Sequence, residues 1–162
     1  MSSYTLEKRN LSIPNLNERF FGIVYSEWNK NITEKLLEGA KQAFREYGIE
    51  EKKLIISCVP GAYEVPLMVN HLLKFTAVSG IVALGCVIKG DTNHDEYINH
   101  TVAQKLMDLS IRFGFPVTYG MVTTLNEEQA IARAGGDKGN KGYEAAVSLL
   151  YLLDSMNKIY RV

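Results

Sequence analysis

The sequence has little cysteine, no net charge and no long hydrophobic run, and each absence excludes a class of protein. Its two cysteines, Cys58 and Cys86, fall in apolar stretches and predict reduced core residues, not a disulfide framework. Eighteen basic residues balance eighteen acidic ones, so we expect no general attraction to nucleic acid or to an anionic membrane, and any anion must be held locally. The longest apolar run, Ile81–Ile88, is too short to span a bilayer.

The N-terminus also lacks the apolar core of a signal peptide, so we expect a cytoplasmic protein. The 162 residues are enough for one domain with a substantial core. Residues 1–18 are polar and predict an N-terminal arm that could dock on a neighbour, since they have no partner in the pattern that follows. Residues 19–162 are expected to form a single domain.

Four apolar runs, each about as long as one strand, follow the arm: Phe20–Tyr25, Leu54–Val59, Ile81–Ile88 and Val117–Thr123. None alternates cleanly between apolar and polar residues, which is typical of parallel strands buried on both faces. The connections are long enough for crossover helices. The predicted fold is therefore α/β, a three-layer αβα sandwich in flavodoxin-like order around a four-stranded parallel sheet.

Helical periodicity predicts a helix in each connection and another at the end of the chain. The first helix is expected to begin near a capping box made by Asn31 and Glu34 and to end at Gly48. The last, over about 140–158, is apolar on more than one face, which suggests a subunit interface.

The loops that follow the strands contain most of the residues suited to chemistry, and ligands of such a fold bind there. These loops contain the only tryptophan, Trp28, a tyrosine beside a carboxylate, Tyr63 and Glu64, and a glycine turn from Gly90 to His94. Aromatic surface with a few polar groups suits a flat heteroaromatic ligand. The turn points backbone N–H groups at an anion, and a histidine can take and give a proton near neutral pH.

Each of these features also has a purely structural interpretation. Trp28 could cover the end of the core, Glu64 could complement the N-terminus of its helix, and residues 90–92 could be an ordinary capping turn. No metal site is predicted, because His94 and His100 are six residues apart and point to different faces of a helix.

Three stretches together resemble the lumazine synthase family of riboflavin biosynthesis: residues 59–66, residues 85–94, and residues 128–135 followed by 139–142. The resemblance runs from about Phe20 to the C-terminus, in order and with matching spacing. It implies a transferase that condenses 5-amino-6-(D-ribitylamino)uracil with 3,4-dihydroxy-2-butanone 4-phosphate. The products are 6,7-dimethyl-8-ribityllumazine, phosphate and water, and no metal or organic cofactor is implied.

The resemblance also implies roles for individual residues. The aminouracil would contact Trp28, Ala62, Tyr63, Glu64, Cys86, Val87, Ile88, Tyr119 and Lys141. The phosphate would be held by Asp91, Thr92 and Arg133, and His94 would transfer protons. In the family the site forms between subunits, so Tyr119, Arg133 and Lys141 would come from a neighbour.

The resemblance also has implications for assembly, and two alternative functions remain beside the enzyme. The resemblance implies a homopentamer, or a hollow shell of twelve pentamers, and an association with riboflavin synthase. Lys89 and the pair Asp95–Glu96 depart from the family's usual arginine and aromatic–acid pair. The alternatives are a protein that binds flavin or lumazine ligands without turnover and a flavodoxin-like regulator that binds phosphate. A pure binder would not need His94, Arg133 and Lys141, which favours the enzyme.

Overall fold

A single parallel sheet organises the computed structural model, which describes residues 7–160. Its four strands lie in the order β2-β1-β3-β4, with β1 at Phe20–Ser26, β2 at Leu54–Val59, β3 at Val78–Ile88 and β4 at Val117–Thr124. The helices are α1 at Lys30–Glu46, α2 at Val65–Phe75, α3 at His94–Phe113, α4 at Glu127–Arg133 and α5 at Lys141–Ile159. A short antiparallel hairpin, β5 at Ala134–Gly136 and β6 at Gly139–Asn140, connects α4 to α5.

Helices cover both faces of the sheet, which confirms the predicted three-layer α/β sandwich. Successive strand residues point to opposite faces: Ile23 and Leu84 pack in the cluster with α1 and α5, whereas Val24 and Ala83 pack with α2 and α3. No helix within residues 7–160 is long and apolar enough to cross a membrane.

The position of β2 corrects two expectations about burial. Because β2 is an edge strand, it is not buried along its whole length, and Ile56 is 36% exposed. Cys58 is exposed on this strand, so the expectation of a core cysteine is wrong for this residue. Cys86, on the central strand β3, is buried as predicted, and both thiols are free.

The start of α1 differs from the predicted capping box. Asn29 precedes the helix in the left-handed region, with φ 59°, and its carbonyl oxygen accepts the N–H of Ile32. Asn31 therefore lies inside the first turn, and its amide donates to Oε1 of Glu127 at 2.8 Å. The prediction of a cap made by Asn31 and Glu34 is wrong, because the left-handed turn starts the helix earlier.

Most of the apolar side chains of α5 are buried within this chain, against α1 and beneath the N-terminal segment. The backbone N–H of Arg9 donates to the hydroxyl of Tyr151 at 3.1 Å, and that of Ser12 donates to Oδ1 of Asp154 at 2.7 Å. Contacts within the chain thus account for most of the apolar character of α5, whereas Leu152 and Ile159 are exposed and the suggested interface stays a prediction. Residues 7–18 contact their own chain here, and residues 1–6 of the predicted arm lie outside the described residues.

Candidate active site

A cavity of about 610 Å³ opens at the carboxyl ends of β1, β2 and β3, and its size suits a small-molecule ligand. From β1 the chain continues to β2, its neighbour on one side in the sheet, and from β2 it continues to β3, the neighbour of β1 on the other side. The strand order therefore reverses at β1, and the cavity lies at this reversal. Nine of the residues predicted for the site line it: Trp28, Ala62, Tyr63, Glu64, Cys86, Val87, Ile88, Thr92 and His94.

The cavity exists because β1 turns away from β3 before β3 ends. The last β1–β3 pair joins Tyr25 and Leu84. After it, the chain bonds to the last residue of β2 and to the residue that follows: the N–H of Glu27 donates to the carbonyl of Val59 at 2.8 Å, and the N–H of Trp28 donates to that of Pro60 at 3.0 Å. The end of β3 therefore pairs with β4 on one side and borders the cavity, instead of a strand, on the other.

Aromatic side chains form one wall of the cavity. Trp28 is 68% exposed and Tyr63 is 63% exposed, so neither ring covers the core, and the structural interpretation of Trp28 is wrong. Gly61 lies beneath the indole, where an added Cβ would be 3.6 Å from the ring. One oxygen of Glu64 accepts the N–H of Gly61 at 2.9 Å, which fixes this turn. The exposed indole can stack on a planar ligand.

The end of β3 forms the opposite wall. Burial raises the pKa of the Cys86 thiol to about 11, with a smaller contribution from the negative charge of Glu127. The thiol therefore stays protonated and neutral near pH 7, and it contributes apolar surface to the wall. The carbonyl oxygen of Cys86 accepts the side-chain amide of Asn29 at 3.0 Å.

The N-terminus of α3 closes the cavity with polar groups. Asn93 is the N-cap residue and makes no side-chain capping bond. Backbone N–H groups at this helix end can therefore donate hydrogen bonds to an anion. Thr92 and His94 line the cavity, whereas Asp91 does not. Within residues 7–160, no three His, Cys, Asp or Glu side chains lie close enough together to hold a metal ion.

Three other predicted residues lie away from this cavity. Tyr119 is on the edge strand β4 and is 43% exposed. Arg133 and Lys141 flank the β5–β6 hairpin on either side. Because Ala134 pairs with Asn140, the two cations lie close together at the base of this hairpin. The guanidinium of Arg133 donates to the carbonyl of Gln129 at 3.0 Å, and Lys141 forms an ion pair with Glu144. The predicted site is therefore divided into two regions of the chain.

Sequence reasoning assigned no role in the site to several residues that line the cavity: Asn29, Asp95, Tyr97, Ile98 and Thr101. The residues on α3 recur at helical spacing from His94, and this periodicity could have identified them. Nothing in the sequence indicated the role of Asn29, because an asparagine before a helix is ordinary turn chemistry.

Comparison with known proteins identifies the family. The sequence model of the 6,7-dimethyl-8-ribityllumazine synthase family matches residues 19–157 of this chain. Proteins of that name from Cytophaga hutchinsonii and Phocaeicola vulgatus are 43% and 39% identical to this chain. These alignments cover 94% and 93% of the chain and 93% and 89% of the relatives. A third, from Bacteroides fragilis, is 42% identical over 85% of this chain and 99% of its own length. The chain belongs to the 6,7-dimethyl-8-ribityllumazine synthase family.

Proposed function

We propose that the chain condenses 5-amino-6-(D-ribitylamino)uracil with 3,4-dihydroxy-2-butanone 4-phosphate to give 6,7-dimethyl-8-ribityllumazine. The observation that carries the proposal is the cavity at the reversal of strand order, in a chain of this family. It brings an exposed indole, a helix N-terminus and His94 together in one space. These are the groups that a planar pyrimidine, a phosphate and a proton transfer require.

Each wall of the cavity has a separate part in the reaction. Trp28 stacks on the pyrimidine, and the main chain of Cys86–Ile88 contacts its edge. The N-terminus of α3 receives the phosphate of the butanone beside Thr92. His94 stands between the two, where the amine attacks the ketone and an imine forms with loss of one water, phosphate leaves by elimination, and the ring closes with loss of a second water. His94 lines the same cavity and is the proposed proton-transfer group, as the family resemblance implies.

A neighbouring subunit is proposed to supply Tyr119, Arg133 and Lys141. These residues are outside the cavity of their own chain, which supports a shared site. Apolar side chains are exposed in two separate regions: Leu67 and Phe75 on α2, and Ile111, Phe115 and Tyr119 beside the β4 edge. Contact between two different patches is heterologous, and repeated contacts of this kind can close into a ring.

The proposed assembly is a homopentamer, alone or as a shell of twelve pentamers, and sedimentation in phosphate buffer would distinguish these sizes. A monomer at working concentration would contradict it. The proposal includes a cytoplasmic location and an association with riboflavin synthase, which co-purification from the cytoplasmic fraction would test.

The activity itself is tested by mixing the purified chain with both substrates and following the absorbance of the lumazine. We expect product to form without added metal or organic cofactor, and at the same rate after treatment with a chelator. Tight binding of the aminouracil with no product would contradict the enzyme and favour the binding protein.

Mixing two inactive variants tests whether the site is shared. Arg133→Ala removes a bidentate phosphate ligand and should lower kcat/KM for the butanone phosphate by at least about a hundredfold. His94→Ala removes the proton-transfer group. If His94 and Arg133 of one site come from different subunits, random mixing of equal amounts restores both to about one quarter of the sites.

Co-expression of the two variants with different tags, followed by a double purification, would provide the mixed assembly for this measurement. As a control, each variant alone is co-expressed with both tags and purified in the same way. These single-variant assemblies should stay inactive. Activity that does not rise above that of these controls would place Arg133 and His94 of each site on the same chain, and would overturn the shared site.

A further inference from the structure

Asn29 joins the loop after β1 to the end of β3. Within residues 7–160, no other side-chain hydrogen bond connects these two segments. Its backbone lies in the left-handed region, at φ 59° and ψ 46°, and its side chain makes no capping bond to α1. Instead, Nδ2 donates to the carbonyl oxygen of Cys86 at 3.0 Å, across 57 residues of sequence. Both residues line the cavity.

This bond satisfies a carbonyl group that the sheet leaves without a strand partner. Cys86 lies two residues beyond Leu84, where the pairing of β1 with β3 ends. A buried carbonyl without a donor is unfavourable, and the residue itself is buried. The amide of Asn29 replaces the N–H that a longer β1 would have offered, and it does so at the place where the cavity opens.

Asparagine combines two properties that this position needs. Its short amide side chain tolerates the left-handed backbone, which most other side chains avoid. Glycine would adopt the same backbone conformation more easily but has no donor. Aspartate has a similar size but presents a carboxylate to the carbonyl oxygen, so it would repel what asparagine binds.

We propose that Asn29 is a positioning residue for the aminouracil. It holds the Cys86–Ile88 main chain at a fixed separation from Trp28, so that the pyrimidine meets its stacking surface and its hydrogen-bonding edge together. Asn29 acts through Cys86 and does not take part in proton transfer. The inference rests on the proposed function, because it assigns the Cys86–Ile88 wall to the pyrimidine.

The test compares Asn29→Gly with Asn15→Gly. Asn15 is the other left-handed asparagine in the described chain, with φ 53° and no side-chain capping bond, and it is outside the cavity. Both changes relieve the same backbone conformation. We expect Asn29→Gly to raise KM for the aminouracil about fivefold to tenfold, the effect of losing about one hydrogen bond. We expect kcat and KM for the butanone phosphate to change little in Asn29→Gly, and Asn15→Gly to leave all three kinetic constants unchanged.

Two further measurements separate positioning from a general structural role. Asn29→Asp should raise KM for the aminouracil more than Asn29→Gly does, because repulsion adds to the lost bond. Hydrogen exchange of the peptide that contains residues 86–90 should be faster in both Asn29 variants and unchanged in Asn15→Gly.

Different outcomes would contradict the two proposals. If the wild-type chain forms no lumazine, the proposed function fails, and the exchange measurement still tests the bond. If the wild type is active and Asn29→Gly matches Asn15→Gly in KM and in exchange, the positioning role is wrong. A fall in kcat with unchanged KM would also overturn it, since it would place Asn29 in the chemical step.

Discussion

Replacing His94 with alanine should lower kcat by about a hundredfold to ten-thousandfold while KM for both substrates changes by less than about threefold. His94 is the first residue of α3, it is exposed, and it lines the same cavity as Trp28, Tyr63 and Thr92. Its removal therefore deletes an imidazole without opening the core. Steady-state formation of the lumazine would measure the effect, with far-UV circular dichroism to verify the fold.

His100→Ala is the matched control for this prediction. His100 is on the same helix and is also exposed, but it is not part of the cavity lining. We expect its kinetics to equal those of the wild type. Added imidazole should restore part of the rate of His94→Ala, because a free base can enter the space that the side chain leaves. A His94→Ala enzyme with the full wild-type rate would remove His94 from the mechanism.

The layers of this fold were predictable because the strands of a covered parallel sheet are continuous apolar runs. The rule fails at the ends of strands and at the edge of the sheet. β3 begins at Val78, three residues before the apolar run at Ile81, and it includes Gly80, which lies close to the Leu149 side chain and the Pro116 carbonyl. The exposure of Cys58 depends on the order of the strands. This order is a property of the whole sheet and cannot be predicted from the residues of one strand.

The site was predictable to the extent that it follows from the carboxyl ends of strands. Trp28 and His94 were found in this way, and the structure brings both to one cavity. Arg133 and Lys141 are close together because the hairpin pairs Ala134 with Asn140, whereas the sequence placed them only on either side of a glycine-rich loop. The amide of Asn29 bonds to a carbonyl 57 residues away, and no local pattern reports a contact of that separation.

Replacing Gly142 with alanine should abolish folding or lower the free energy of unfolding by at least about 3 kcal/mol. Gly142 is in the first turn of α5, and an added Cβ would lie 1.9 Å from the carbonyl oxygen of Leu36 on α1. A Cβ has no torsion angle through which it could move away, and the atom it meets is backbone. The contact between α1 and α5 must therefore separate, which opens one layer of the core. Urea unfolding would measure the loss.

Ser148→Ala, at an exposed position of the same helix, is the control and should unfold at the wild-type urea concentration. The clash at Gly142 also reaches the site, because Oδ1 of Asn140 accepts the N–H of Gly142 and Nδ2 of Asn140 donates to the carbonyl of Lys35. Displacing α5 therefore moves the base of the hairpin with its two cations. Any Gly142→Ala protein that folds should bind both substrates more weakly, because Arg133 is assigned to the phosphate and Lys141 to the aminouracil. Unchanged binding of both substrates in a folded variant would contradict the assignment of these two cations to the site.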